Sequence, residues 1–465
     1  MASQSPPDVQ ITDAVVLLPG IMGSELTDGS SSVVWGQKLS MSRAFLSHVY
    51  RGLAVTPDEL EGRPRLRPSR LIARTGLLSL LGAQGPYTEL EFALRNAAVD
   101  EAAVAPFPYD WRLSIEYNAA RLVTFAEEHL RKWKQILAGQ VQASDGPLRR
   151  FDVGSVKLCF VAHSMGGLVA RWACSDPELA GMTRRIISLG TPYWGSAKTV
   201  GVMSAGKAAR YLDETAVQQL AVTCPGVYDL LPREACVARA GAWQKLGSSD
   251  VAAMGGSSEL ADAAMARWES IAPNLPLPGV ELIPISGFTL PTTRRVSIND
   301  RGDWVAEAVD PDGYRARGDG TVAYLTAPAG STPQLQVASH EQLPQVPIVI
   351  QAVIRHVLGV PEPPVSLAPP RELGLTAPVT TGPGRVAVRV SEVGVDGPKR
   401  SGITVTSATE TAPGRWSASV GWAFDGSDDH ELLFSRSLAP GVHRITVSGG
   451  GTVGVSCVTG VLAND

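Results

Sequence analysis

Three residues in this chain can together carry out nucleophilic acyl chemistry. Ser164 lies in VAHSMGGLVA (161–170), with Ala162 two positions before it and Gly166 two positions after. A serine on a very tight strand-to-helix turn needs small residues at both places, because the backbone folds back closely on itself there. The ordinary alternative is a serine that caps a helix. The surroundings favour the turn. VKLCFVAH (156–163) is a continuous apolar run of strand character, and Leu168, Val169, Ala170, Trp172 and Ala173 follow at helical spacing.

A nucleophilic serine needs a base and an acid that orients it, usually in the chain order serine, carboxylate, histidine. Of the later histidines, His430 and His443 fall in a segment of different texture, and His356 lies mid-helix in VPIVIQAVIRHVLG. His340 follows the apolar run LQVAS and opens the loop HEQLPQ, which suits a base delivered from a strand end. For the acid, Asp319 stands between two glycines upstream of His340, and glycines let the backbone aim the carboxylate. Asp300, Asp303, Asp310 and Asp312 are rivals in the polar stretch before it. The tetrahedral intermediate also needs two backbone N–H donors. Met165 follows the serine, and Ile21, in the glycine-rich loop LLPGIMGSEL (17–26), is the expected second donor.

These residues require a scaffold. AVVLL (14–18), VKLCFVAH (156–163), RRIISLGTP (184–192), GVELIPISGF (279–288) and LQVASH (335–340) read as buried strands. The segment 117–137 has apolar residues at helical spacing between the first two. Alternation of this kind predicts an α/β fold with a mostly parallel sheet over residues 13–359. Stretches near 36–85 and 195–275 break the rhythm and read as cap or lid insertions. Residues 1–12 read as a disordered N-terminus. Five prolines mark 360–374 as a linker, and 375–465 alternates in short runs, as in a small all-β sandwich-like module.

Composition excludes some partners. The chain has 465 residues, 44% hydrophobic and 18% charged, with a formal net charge of −4. That offers no basic field for nucleic acid. MASQSPPDVQ lacks the n- and h-regions of a signal peptide, and no run of about 18 apolar residues appears, so a cytoplasmic protein is expected. The five cysteines show no metal-site spacing; Cys159 and Cys174 read as reduced core residues, and Cys224 and Cys236 could pair. No metal or cofactor is expected.

With these residues in place, the chain resembles the lecithin:cholesterol acyltransferase family of the α/β-hydrolase superfamily, with its lysosomal phospholipases and phospholipid:diacylglycerol acyltransferases. VVLLPGIMGSEL, VVW (33–35), PFPYDWR (106–112), AHSMGGLVA, LGTPYWGS (189–196), YDLLP (228–232), GDGTV and SHEQLP carry the likeness, in family order, over roughly 13–358. It implies Ser164 as nucleophile, Asp319 as acid, His340 as base, and Ile21 with Met165 as oxyanion hole. It also implies a lipid ester substrate and no cofactor. Ala162 stands where the family more often has glycine, and no cysteine precedes residue 159, so the early disulfide-closed loop of secreted members is absent. The expected activity is a lipid acyl hydrolase or acyltransferase, with transient membrane-surface contact and an unidentified protein partner for the β module. A soluble-ester carboxylesterase and an inactive scaffold are the alternatives, and fluorophosphonate labelling would separate the scaffold from both enzymes.

Overall fold

The computed structural model describes residues 10–36, 52–72, 87–144, 150–206, 214–239, 242–270, 277–299, 302–309, 316–323, 333–360 and, between 373 and 461, the strands and turns of the C-terminal part. Six strands form a parallel sheet: β1 (Ala14–Leu18), β2 (Val104–Pro106), β3 (Leu158–His163), β4 (Thr183–Leu189), β5 (Glu281–Gly287) and β6 (Gln334–Gln336). Their order across the sheet is β6-β5-β4-β3-β1-β2, with every neighbouring pair parallel. All five residues of β1 are fully buried, as a strand covered on both faces must be. The expected α/β class therefore holds. β2, three residues ending in proline, carried no readable pattern.

Helices α1 (Tyr87–Ala97), α2 (Ile115–Ala143), α3 (Met165–Ala173) and α4 (Pro347–Leu358) pack around this sheet. α2 is longer than the expected 117–137. Ser114 caps it by accepting a hydrogen bond from the Tyr117 amide, and Ile115, Ala119, Leu122, Ala126, Leu130, Trp133 and Leu137 form its buried stripe. The expected strand at 335–340 is shorter, since β6 stops at Gln336 and His340 sits in the turn beyond it. Ordered chain also begins before residue 13. Ile11 is buried, receives the Val99 amide and donates to the Ala97 carbonyl.

Of the first insertion, Leu71 and Ile72 are buried; Leu77, Leu78, Leu80 and Leu81 lie outside the described residues. The second holds short helices and the strands Val237–Arg239 and Ala242–Gln244, which join Arg295–Ile298 and Trp304–Glu307 in a four-stranded sheet. α4 is ended by Gly359 in a left-handed cap, and the next described strand begins at Leu373. Among the described residues two sheets follow, antiparallel except where Thr380–Thr381 runs parallel to Val455–Val461. All five cysteines are free and buried, Cys224 and Cys236 included. Among the described residues no helix is long and apolar enough to cross a membrane, and no metal-binding cluster occurs.

The PYDWR turn leads into α2, and Arg112 holds it in place. Its guanidinium makes two hydrogen bonds to Asp110, at 2.9 and 2.7 Å, a third to Glu59 at 2.7 Å and a fourth to the Leu53 carbonyl at 3.0 Å. Arg112 has no solvent exposure, and Asp110 and Glu59 are 2% exposed. Removing the cation would leave the buried Asp110 carboxylate without its guanidinium, and Glu59 with the more exposed Arg65 at 3.8 Å. Arg112→Ala is therefore expected to cost about 3–5 kcal/mol, read as a lowered urea midpoint, and a loss under about 1 kcal/mol would contradict this account.

Candidate active site

Ser164 stands between β3 and α3 with φ +52° and ψ −124°. A non-glycine residue is held there only at a cost of about 1–3 kcal/mol, supplied by its surroundings. The restraints are visible. Its amide donates to the Leu189 carbonyl at 2.8 Å, and its carbonyl accepts from the Thr191 hydroxyl at 2.9 Å. Its side chain makes no capping bond, so the helix-cap alternative does not describe this serine.

Close packing explains the glycines that follow. A Cβ on Gly166 would lie 2.4 Å from the Pro19 carbonyl oxygen, and one on Gly167 would lie 2.0 Å from the Thr191 hydroxyl. The loop after β1 thus rests directly against the turn. A Cβ on Gly20 would come within 2.9 Å of the Ser164 Cβ.

The three chemical residues come together from separate elements. His340 Nε2 is 2.8 Å from Ser164 Oγ, and His340 Nδ1 is 2.7 Å from Asp319 Oδ2. The His340 amide also donates to the Asp319 carbonyl at 2.8 Å. The other carboxylate oxygen, Oδ1, accepts the amides of Thr321 at 2.9 Å and Val322 at 2.7 Å, which fixes the carboxylate plane. Gly190, with φ +60°, leaves room for the pair, because a Cβ there would lie 2.8 Å from Asp319 Oδ2 and 3.0 Å from His340 Nδ1. Burial alone would push the His340 imidazole down, but the charge of Asp319 and its hydrogen bond outweigh this, and the net shift is upward. Such an arrangement can take a proton from the serine hydroxyl and hold it on an imidazolium facing a carboxylate.

The rival residues lie elsewhere. His356 pairs with Gln334, and His443 contacts Thr409 and the Ala439 carbonyl in the C-terminal sheets. Asp303 hydrogen-bonds to Asn299, while His430, Asp300, Asp310 and Asp312 fall outside the described residues.

Met165 is the first residue of α3, so its amide belongs to the donors without an intrahelical acceptor. In the β1 loop, Tyr109 holds the Pro19 carbonyl at 2.9 Å, Tyr87 takes the Gly20 amide at 2.7 Å, and Trp35 donates to the Met22 carbonyl at 3.0 Å. The Ile21 amide is left uncommitted among the described residues. Sequence reasoning passed over Tyr87, Tyr109 and His163. His163 lay in plain view beside the serine, but nothing in the sequence linked it to a tyrosine 76 positions away.

Residues 90–277 match the family described as "Lecithin:cholesterol acyltransferase". No curated protein matches the chain. Among solved structures, the Bacillus licheniformis lipase BlEst2 in mature form is similar at 13% identity and TM-score 0.34, over 77% of this chain and 96% of that one. Its propeptide form is similar at 12% identity and TM-score 0.37, over 98% and 75%. Phospholipase PlaB from Legionella pneumophila shows 9% identity and TM-score 0.29, over 96% and 89%. These likenesses are distant.

Proposed function

We propose that this chain, which carries a lecithin:cholesterol acyltransferase family segment over residues 90–277, is a serine-dependent lipid acyl hydrolase or acyltransferase. It acts on glycerophospholipid or related esters through an acyl-enzyme on Ser164. The observation that carries this reading is the continuous contact from Ser164 Oγ to His340 Nε2 at 2.8 Å and from His340 Nδ1 to Asp319 at 2.7 Å, on a strained turn. The family segment supports the coarser statement, an esterase or lipase-type hydrolase.

In the proposed reaction, His340 Nε2 takes the hydroxyl proton as Ser164 Oγ attacks the ester carbonyl. The amides of Met165 and Ile21 donate to the oxyanion. As the tetrahedral intermediate collapses, His340 Nε2–H protonates the departing alcohol oxygen and leaves the acyl group on Ser164. Water or an acceptor alcohol then repeats the sequence in reverse. Asp319 stabilises the imidazolium in both halves. We also propose transient contact with a membrane surface, and a hydrolase unit ending at α4 with the β sheets as a separate module.

The His340 shift sets the pH dependence. Only the neutral imidazole accepts the serine proton, so activity falls as pH drops through its raised pKa. The acid limb of kcat/KM is expected above the ordinary imidazole value of about 6.5. Asp319→Asn removes the charge that raises it, so the limb moves to lower pH while kcat falls. A limb that stays in place in Asp319→Asn would contradict the pairing. The function itself is tested by mass spectrometry of mixed phospholipid vesicles incubated with the protein, with and without an acceptor alcohol. Free fatty acid and lysolipid, or a transesterified product, should form with the wild type and be absent with Ser164→Ala.

A further inference from the structure

The acyl-transfer steps make no use of His163, yet its ring is fully engaged. Nδ1 lies 2.9 Å from the Tyr87 hydroxyl, and Nε2 lies 2.9 Å from the carbonyl oxygen of His340. The ring centroids of His163 and His340 are 4.9 Å apart, and all three residues are buried. A carbonyl oxygen only accepts, so the proton of a neutral His163 sits on Nε2 and Nδ1 is an acceptor. The Tyr87 hydroxyl must then donate to Nδ1, and its lone pair receives the Gly20 amide at 2.7 Å. The polarity of every bond is fixed. Gly20 N–H donates to Tyr87, Tyr87 O–H donates to His163, and His163 Nε2–H donates to the His340 backbone.

This chain of bonds begins on the β1 loop, one residue before Ile21, and ends on the backbone of the proposed base. Burial pushes the His163 imidazole well below its ordinary range and the Tyr87 phenol upward. Both therefore stay neutral near pH 7, and His163 places no positive charge of its own beside His340 when it becomes an imidazolium. Two further bonds brace the route, from the Tyr109 hydroxyl to the Pro19 carbonyl and from the Tyr109 amide to the Ser24 hydroxyl at 3.0 Å.

We infer that Tyr87 and His163 are positioning residues that set the oxyanion loop and the base in a single register. Tyr87 turns the Gly20 amide away from the substrate and so presents the next amide, that of Ile21. His163 holds the His340 main chain so that its Nε2 meets Ser164 Oγ. The inference rests on the acyl-enzyme reading above. Neither residue touches the reacting atoms, so the expected loss is in turnover and not in substrate binding.

The test is the hydrolysis of p-nitrophenyl butyrate by Tyr87→Phe, His163→Gln and His163→Leu, with Ser164→Ala alongside. Tyr87→Phe should lower kcat by roughly 10- to 100-fold, below the loss from deleting an oxyanion donor outright, with KM within about two-fold of wild type. His163→Gln keeps an amide N–H that can reach the His340 carbonyl, so it should retain at least about ten times the kcat of His163→Leu. Wild-type kcat in Tyr87→Phe, a loss carried by KM, or equal kcat in the two His163 variants would overturn the inference. Should Tyr87→Phe not fold, the His163 pair decides by itself. An active Ser164→Ala would sink the acyl-enzyme reading instead. A dead Ser164→Ala beside a fully active Tyr87→Phe would sink the relay alone.

Discussion

Ser164→Ala is expected to lower kcat for ester hydrolysis by at least about 1,000-fold while leaving the fold intact, and His340→Ala by a similar factor. The size follows from how such groups act as a unit. Without the hydroxyl, His340 has no proton to take, and without the imidazole, Ser164 Oγ keeps its proton at neutral pH. What remains is catalysis by the two amides and by binding, and the double variant should be scarcely worse than either single one. Steady-state rates on a short-chain ester, with circular dichroism as the control for folding, check this. Either variant retaining more than about a tenth of wild-type turnover would refute the assignment.

Gly166→Ala is the second large effect expected. The new Cβ would sit 2.4 Å from the Pro19 carbonyl oxygen and 2.9 Å from the Leu18 Cβ, and neither neighbour is the far end of a flexible side chain. The β1 loop must move, and Ile21 moves with it. Overpacking of this kind destabilises by about 1–3 kcal/mol, but the catalytic loss should be larger. Displacing one oxyanion donor lowers kcat by about 100-fold or more. The expected result is a folded protein with a modestly lowered urea midpoint and kcat reduced by about 100-fold. A variant with near-normal kcat would show that the β1 loop supplies no donor.

The sequence disclosed the parts of this site that depend on local pattern. The apolar run 156–163 and the helical spacing after Ser164 mark a strand-turn-helix, and the structure places β3 and α3 on either side of that serine. Asp319 and His340 were recognisable through their flanks, glycines for one and an apolar run for the other, and the structure brings both to Ser164. Contacts between distant segments left no such trace. β2 is too short to show a period and ends in Pro106, while the strands Val237–Arg239, Ala242–Gln244, Arg295–Ile298 and Trp304–Glu307 are only three or four residues long. Tyr87 carries no functional signal in its local sequence, and only the tertiary fold brings it to Gly20 and His163. Arg112 was legible as part of PYDWR, but its pairing with Glu59, 53 positions earlier, was not.

The central claim is a covalent acyl group on Ser164, and trapping it is the most direct test. The protein is mixed with a phospholipid vesicle or a short-chain ester, quenched in acid within one turnover, digested and analysed by peptide mass spectrometry. The peptide containing Ser164 should gain the mass of the donor's acyl chain. It should lose that mass on longer incubation in water, and Ser164→Ala should never acquire it. An acyl group found on another residue, or turnover with no trapped adduct and an active Ser164→Ala protein, would contradict the account.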